Sequence, residues 1–170
     1  FCEESGLNAD IKFRVIEACR RGELDVFTDP VASPTGFPFK VLRLSGTMSE
    51  LAQYETRQRI CDLGFLRQAF RKPDGTVGWR CPGEPVATYV RKGGDAEDTC
   101  GRKCLCNGLL ANVDLGQRRP RGESELPLVT CGDDVQSILQ FLKSPEAASY
   151  SAADVVAHLL SGIAAPAMAS

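Results

Sequence analysis

Cysteine offers the most reactive chemistry in this sequence of 170 residues, and it is concentrated in the middle of the chain. Five of the eight cysteines and the single tryptophan, Trp79, lie between residues 61 and 106. Thiols at this density form disulfides in an oxidising compartment, whereas in a reducing one they serve as metal ligands, redox groups or small buried hydrophobes. The compartment therefore decides how this region is held together.

The sequence favours a reducing, cytoplasmic compartment. Residues 1–4 carry acids where a signal peptide carries bases, and no apolar segment follows them. No apolar run approaches the roughly 20 residues that span a bilayer. The formal net charge of −2 gives no general attraction to nucleic acid or to an acidic membrane. We therefore expect reduced thiols, and neither a nucleic-acid partner nor a membrane partner.

Four of the clustered cysteines could be metal ligands, but their spacing in the sequence is not typical of a metal site. Cys104 and Cys106 form a CxC pair, which cannot close a relaxed disulfide because Cα atoms two residues apart in an extended chain lie about 7 Å from each other. Together with Cys61 and Cys81 they could bind Zn²⁺ tetrahedrally or hold an iron–sulfur cluster. The CxxC pairs typical of such sites are missing, so burial as small hydrophobes stays an open alternative.

The residues next to Cys81 predict its surroundings. Trp79 and Pro82 flank it, and they would give a packed, poorly solvated shell around the thiol. The remaining cysteines are isolated in the sequence and are predicted to be ordinary packing or surface thiols: Cys2, Cys19, Cys100 and Cys131.

Other catalytic spacings are scarce. The single histidine, His158, lies within a predicted amphipathic helix and is predicted to be a helix-surface or packing residue. No carboxylate pair has a spacing that assigns it acid–base work, and neither GxGxxG nor a Walker sequence is present. Three arginines in the loop at 117–122 indicate a solvated turn in preference to a phosphate site.

The apolar periodicity predicts a chain that is mostly helix and loop, with a few short strands. The expected helices follow Asn8, cover 50–57 with Thr47 or Ser49 as cap, cover 84–92, begin near 105 and 133, and follow a capping box at Ser151. A strand is expected at 24–28, a hairpin at 70–79 around Pro-Asp-Gly, and a strand or extended segment at 128–131. Residues 162–170 are rich in small side chains and are predicted to fray.

The segment at 29–40 is predicted to be irregular. Three prolines remove backbone donors and fix φ, and Gly36 permits unusual backbone angles. A stiff loop that ends in aromatic residues suits the wall of a ligand site. A rigid connector is the simpler alternative.

Several segments resemble the C-terminal part of nitronate monooxygenase-like proteins, formerly called 2-nitropropane dioxygenases. The likeness runs over nearly the whole chain and is closest to a long-tailed branch of that family. The segments that carry it are 2–7 (CEESGL), 28–40 (TDPVASPTGFPFK), 103–111 (KCLCNGLLA), 129–134 (VTCGDD) and 150–156 (YSAADVV).

The resemblance implies an α/β parent enzyme, a TIM barrel that binds FMN at the C-terminal mouth of its strands. Residues 1–28 would be the end of the barrel, 29–46 a Pro/Gly loop at its mouth, and 47–170 a helical, cysteine-rich tail region. Most flavin contacts and the catalytic histidine of the family would lie upstream of Phe1. His158 does not match that histidine, so no catalytic residue is assigned in this chain.

By position, Ser33, Thr35 and Gly36 match the Thr-Gly segment that follows the barrel in that family. The resemblance therefore makes them the candidates for the wall of the flavin or substrate pocket.

We thus predict the C-terminal portion of an FMN-dependent oxidoreductase that uses O₂ to oxidise nitronate-type or other small substrates. Its partners would be that small molecule and the upstream polypeptide of the barrel, and a chain that begins without methionine fits this expectation. The alternative is a non-enzymatic, cysteine-rich module, stabilised by a metal, that mediates subunit or partner contact.

Overall fold

The computed structural model describes residues 1–162, and its contacts divide the chain into two units. The first unit comprises 1–24 and the chain from 134 onward, and the second comprises 25–133. The α-helices of the described residues are α1 (Ala9–Arg20), α2 (Leu51–Thr56), α3 (Val86–Arg91), α4 (Leu105–Ala111) and α5 (Ala152–Ser161). The strands are β1 (Val26–Asp29), β2 (Phe39–Leu42), β3 (Gln68–Arg71) and β4 (Val77–Arg80), and short 3₁₀ helices cover Ala96–Thr99 and Asp133–Phe141.

In the first unit, both long helices begin at the predicted caps. The side chain of Asn8 accepts a hydrogen bond from the backbone N–H of Asp10 at 2.8 Å, and α1 buries Val15 and Ile16 on one face. At α5, Ser151 and Asp154 form the predicted capping box. The prediction for 163–170 lies outside the described residues.

His158 is a surface residue of α5, as predicted. Its ring meets the ring of Phe141 edge-on, with centroids 5.3 Å apart. Phe141 also contacts Tyr150, at 5.6 Å between centroids. His158 therefore serves packing within the first unit.

In the second unit, β1 and β2 form an antiparallel pair that runs from Val26↔Leu42 to Asp29↔Phe39. Residues 30–38 contain the three prolines and Gly36, connect these two strands, and are called the Pro/Gly loop from here on. The prediction of irregular structure over 29–40 holds for these residues and is wrong at Asp29, which belongs to β1, and at Phe39 and Lys40, which belong to β2. The prolines all lie between the strands, where the ladder needs no backbone N–H. Pairing of β1 with β2 satisfies the backbone groups of Asp29, Phe39 and Lys40.

The predicted hairpin is confirmed as β3 and β4, paired from Gln68↔Arg80 to Arg71↔Val77. Its turn uses the predicted residues. Asp74 Oδ1 accepts the backbone N–H of Thr76 at 2.9 Å, and Gly75 adopts a φ of +84°.

The predicted cap of α2 is wrong. Glu50 stands at the cap position and makes no side-chain cap hydrogen bond. The Ser49 hydroxyl instead accepts the N–H of Leu44 at 2.9 Å and bonds to the Thr47 hydroxyl at 2.8 Å. Both hydroxyls are buried in the turn before α2. There they bond to backbone groups of the turn, so they do not cap the helix.

One core cluster of the second unit joins segments that are distant in the sequence. Leu128 lies in an extended, irregular segment, and the neighbouring carbonyl of Val129 accepts the N–H of Leu42 at 3.0 Å. The start of the Pro/Gly loop and the start of α4 therefore share a core. The buried members of the cluster are Ala32, Val41, Met48, Leu105 and Leu128.

The boundaries predicted at 28 and 46 refer to the parent barrel and stay a prediction, as does the barrel itself. The described residues form a small mixed α/β structure with two two-stranded antiparallel sheets. Among them, no helix has the length and apolar character needed to cross a membrane.

We predict that Leu128→Ala destabilises the protein by about 2–5 kcal/mol, because it leaves a cavity in the shared core. Leu128 is 0% exposed, whereas Leu115 in the same unit is 68% exposed and is the matched control. Leu115→Ala should change the free energy of unfolding by less than about 0.5 kcal/mol. Denaturant unfolding measures both, and equal effects would refute this assignment of the core.

Candidate functional site

The three residues proposed for a pocket wall differ in their availability to a ligand. Ser33 is buried, and its hydroxyl bonds to Thr35 Oγ1 at 2.8 Å and accepts the N–H of Thr35 at 3.2 Å. Thr35 and Gly36 are exposed, and Gly36 adopts a φ of +76°, which confirms the predicted unusual backbone. Ser33 therefore shapes the loop, whereas Thr35 and Gly36 can face a ligand.

Asp29 fixes the start of this loop. Its Oδ1 accepts the N–H groups of Val31 at 3.1 Å and Ala32 at 2.9 Å, and its Oδ2 pairs with the ammonium of Lys103. Burial acts to raise the pKa of Asp29, but Lys103 and the two N–H groups outweigh it, so the pKa lies below the ordinary value. Asp29 is therefore an ionised carboxylate with all of its partners inside the protein.

The residue before Lys103 holds the middle of the same loop. Arg102 donates from Nη1 to the carbonyls of Val31 at 3.0 Å and Ser33 at 2.6 Å. Arg102 and Lys103 directly precede the CxC pair, so the candidate pocket wall and the candidate thiols are anchored by one stretch of chain.

We predict that Lys103→Met destabilises the protein by about 3–5 kcal/mol at pH 7, because it leaves Asp29 charged and buried without its counter-ion. The lowered pKa of Asp29 stabilises the native state above the unfolded pKa of about 4, and that contribution is lost as the pH falls through the folded pKa. Denaturant unfolding should therefore show a smaller difference between wild type and variant in acid than at pH 7.

Lys143 is the matched control for this prediction. Its side chain is 78% exposed, in contrast to 11% for Lys103. Lys143→Met should cost at most about 1 kcal/mol, as is usual for an exposed ion pair. If Lys103→Met lowers the free energy of unfolding equally at every pH, the packing of the lysine side chain matters and its charge does not.

Cys61 and Cys104 form the centre of the cysteine cluster. Both are buried, and each thiol is the largest influence on the pKa of the other. Cys104 lowers the pKa of Cys61 to about 7, and Cys61 raises the pKa of Cys104, whose burial acts in the same direction. Of the two thiols, Cys61 therefore loses its proton first.

The other two predicted cysteines lie close to Cys61. Burial raises the pKa of the Cys81 and Cys106 thiols, and the charge of Cys61 raises both further. Each of the other three cysteines of the candidate metal set therefore interacts with Cys61. Among residues 1–162, no three Cys, His, Asp or Glu side chains are already arranged to hold a metal ion, so the zinc or iron–sulfur site stays a prediction.

The isolated cysteines are packing or surface residues, as predicted. Cys19 is buried and its thiol donates to the carbonyl of Gln136 at 3.3 Å. Cys100 is exposed, and Cys2 and Cys131 are partly buried.

A cavity of about 360 Å³ opens beside Cys61 and Cys81. Trp79 is one of its walls and is 49% exposed, with the guanidinium of Arg67 lying 4.9 Å from its ring centroid. The predicted packed shell is therefore wrong for Trp79 and right for Pro82, which is buried. The charged side chains that line the cavity are Asp62, Arg67, Arg80, Glu84, Lys92 and Arg119.

Arg119, in the loop predicted to be a solvated turn, has a side chain that is 38% exposed and also makes specific contacts. Its Nη2 donates to the carbonyl of Ile60 at 2.5 Å and to Asp62 Oδ2 at 2.8 Å, so it flanks Cys61. Arg118 and Arg121 are exposed, as predicted. The sequence around the three arginines is alike, so local composition could not separate them.

Sequence reasoning missed a second buried ion pair near the thiols. Arg57 and Glu125 lie 2.8 Å apart with side chains 4% and 1% exposed, and Asn107 Nδ2 donates to the second oxygen of Glu125 at 3.3 Å. Burial raises the pKa of Glu125, and Arg57 opposes that rise. One signal was available, since Glu125 directly precedes the apolar run at 126–129.

Comparison with known proteins adds no relative to this description. No protein-family model matches the chain, no curated protein is significantly similar to it, and no solved structure matches it. The resemblance to nitronate monooxygenase-like proteins therefore stays a prediction, and any proposed function rests on the contacts of the described residues.

We predict that Cys104→Ala raises the pKa of Cys61 towards that of an ordinary thiol, because it removes the neighbouring thiol that lowers this pKa. The ultraviolet absorbance of the thiolate, followed against pH in chelator-treated protein, should show one group ionising near pH 7 in the wild type. That step should be missing in the variant and unchanged in Cys100→Ala, the exposed control. A step near pH 7 in Cys104→Ala would assign the low pKa to another cause.

Proposed function

We propose that this chain is the C-terminal portion of an FMN-dependent oxidoreductase of the nitronate monooxygenase type. The parent enzyme oxidises a nitronate-type or similar small substrate with O₂, and this chain supplies part of the wall of its pocket. The catalytic residues lie in the upstream polypeptide of the parent.

The observation that carries the proposal is the direct contact between segments that were singled out by the resemblance. Lys103 pairs with Asp29, and its N–H donates to the carbonyl of Ala32 at 2.9 Å, so segment 103–111 is bound to segment 28–40. Lys40 forms an ion pair with Asp133, which adds segment 129–134. These contacts join the three segments within the second unit.

The loop residues fit one wall of a flavin or substrate pocket. Thr35 presents an exposed hydroxyl, and a Cβ added to Gly36 would meet no atom within 4 Å, so the space next to the loop is open. When bound, FMN would carry the electrons between substrate and O₂. The residues of this chain would position the substrate and limit the access of water on this side.

The complete natural polypeptide that contains this sequence tests the proposal. Purified protein should show the visible absorbance of a flavin and should consume O₂ when an alkyl nitronate is added. Residues 1–170 alone should not bind FMN with sub-micromolar affinity. A complete polypeptide without flavin, which also takes up none on reconstitution, would overturn the proposal and favour the non-enzymatic, cysteine-rich module.

We predict that Gly36→Val in the complete polypeptide lowers flavin content or raises KM while the fold is retained. A β-branched residue at a φ of +76° is strained by about 1–3 kcal/mol, which shifts the loop although the space next to it is open. Flavin absorbance per polypeptide and steady-state kinetics measure the effect.

Gly75→Val is the matched control for this prediction. Gly75 also has a positive φ, at +84°, and no atom within 4 Å of an added Cβ, but it lies in the turn between β3 and β4. Equal flavin content and kinetics in the wild type and both variants would make the loop at 29–36 a connector only.

A further inference from the structure

We propose that a basic groove at the β3–β4 hairpin and the end of α3 binds a small molecule that carries two or more phosphate groups. The groove has a volume of about 740 Å³, which is within the range of small-molecule sites. Its lining residues all belong to the second unit, and the proposal does not depend on the flavin proposal. The charged residues that line it are Arg71, Lys72, Arg80, Arg91 and Lys92.

The first support is the segregation of charge. The five charged residues that line the groove are all cations, although the whole chain has a formal net charge of −2. The acids next to them are already bound. Glu84 pairs with Lys92 at 2.6 Å, and Asp74 accepts the hydroxyl of Thr76 at 2.6 Å in the hairpin turn. Cations that line one cavity repel one another, so the groove favours a ligand that brings several negative charges.

The second support is the environment of Arg80. Its guanidinium carbon lies 4.9 Å from the ring centroid of Phe70 and 5.2 Å from that of Tyr89, so two aromatic rings hold it in place. Nε of Arg80 is buried and has no hydrogen-bond partner among the described residues. The ion pairs that line the groove and the cavity beside Cys61 do not include Arg80. A fixed cation with an unsatisfied donor is a position at which a bound anion adds stability.

Arg80 lies where the two elements of the groove meet. Gly93, which follows α3 with a φ of +80°, also lines the groove. A Cβ built on Gly93 would lie 3.8 Å from Nη1 of Arg80. A side chain at Gly93 would therefore narrow the space beside the guanidinium, and the glycine leaves that space open.

The hairpin places Lys72 on the same side as Arg80. Phe70 pairs with Gly78, and residues two apart in a strand share a face, so Phe70, Gly78 and Arg80 lie on one face. A Cβ built on Gly78 would lie 2.5 Å from Cζ of Phe70 and 3.1 Å from Cε of Lys72. The lysine stem therefore lies over Gly78, on the face that carries Arg80.

The residue types favour phosphate as the anion. A guanidinium donates two hydrogen bonds side by side to phosphate oxygens, and a lysine adds a compact charge. Four of the five cations lie outside the pair that Lys92 forms with Glu84. One phosphate monoester carries a charge of only about −2, so a ligand with at least two phosphate groups matches the groove better.

The groove is less suited to single-stranded nucleic acid. Proteins of that class stack successive bases on exposed aromatic rings. The aromatic ring that lines this groove is that of Phe70, which is half-buried and lies against Gly78 and Arg80. The contacts therefore offer charge to a phosphate group and little ring surface to a base.

The test is calorimetric titration of the complete natural polypeptide with inorganic tripolyphosphate at a fixed ionic strength of about 0.15 M. We expect one site per chain, with an affinity about tenfold or more above that for orthophosphate, because additional charged hydrogen bonds form. ATP should bind at least as tightly as tripolyphosphate. Equal affinities would show that the groove recognises phosphate alone, and tighter binding of ATP would add contacts to its nucleoside; both support the proposal.

Variants assign the binding to this groove. Arg80→Gln and Arg91→Gln should each weaken the binding of tripolyphosphate by about tenfold or more. Arg121→Gln is the matched control, since it removes an exposed arginine of the same unit that does not line the groove. It should leave Kd unchanged.

Arg91→Gln keeps the test valid if Arg80→Gln fails to fold. Arg91 is exposed, and its Nη2 donates only across one turn of α3, to Thr88 Oγ1 at 3.3 Å. Tripolyphosphate should also raise Tm of the wild type, and this shift should be smaller in Arg91→Gln.

Three results would overturn the proposal. The first is an affinity for tripolyphosphate no higher than that for orthophosphate. The second is an affinity that Arg91→Gln leaves unchanged. The third is tighter binding of a single-stranded oligonucleotide that depends on Arg80 and Arg91, which would make the groove a nucleic-acid surface.

Discussion

The second unit depends on the buried ion pair of Lys103 and Asp29. Each charge is almost entirely removed from water, which is tolerable only because Asp29 also accepts two backbone N–H groups. The pair joins the end of β1 to the residue directly before Cys104. The position of the Pro/Gly loop and the position of the thiols are therefore set by the same contact.

The Arg57–Glu125 pair is a second buried ion pair, and it contacts α4. Glu125 binds Arg57 just beyond α2, and it also accepts from Asn107 within α4. Buried pairs of this kind add little net stability, but an unpaired member is costly, so they penalise alternative packings. The helices of this unit are short and form little core of their own, and we infer that the two ion pairs help to specify their arrangement.

The candidate functional groups thus lie on short helices, strands and loops that are joined by buried ion pairs. The loop that carries the exposed Thr35 and Gly36 is held by Arg102 and Lys103. Cys104 is the next residue in the sequence.

The sequence by itself determined the local features of this protein. The cap at Asn8, the capping box at Ser151 and the turn at Asp74 and Gly75 follow from hydrogen bonds and backbone angles within a few residues. The positive φ of Gly36 followed from its proline-rich surroundings. These features could be predicted because all of the groups that form them are neighbours in the chain.

Only the tertiary structure decided which distant residues meet. Arg119 and Arg118 have the same local composition, yet Arg119 alone of the two reaches Asp62, and Trp79 is half-exposed although it lines the same cavity as the buried Cys61. Likewise, the sequence did not decide which thiols meet, and the fold placed Cys104 beside Cys61. Such contacts depend on how the chain is routed in space, and periodicity and composition carry no information about that routing.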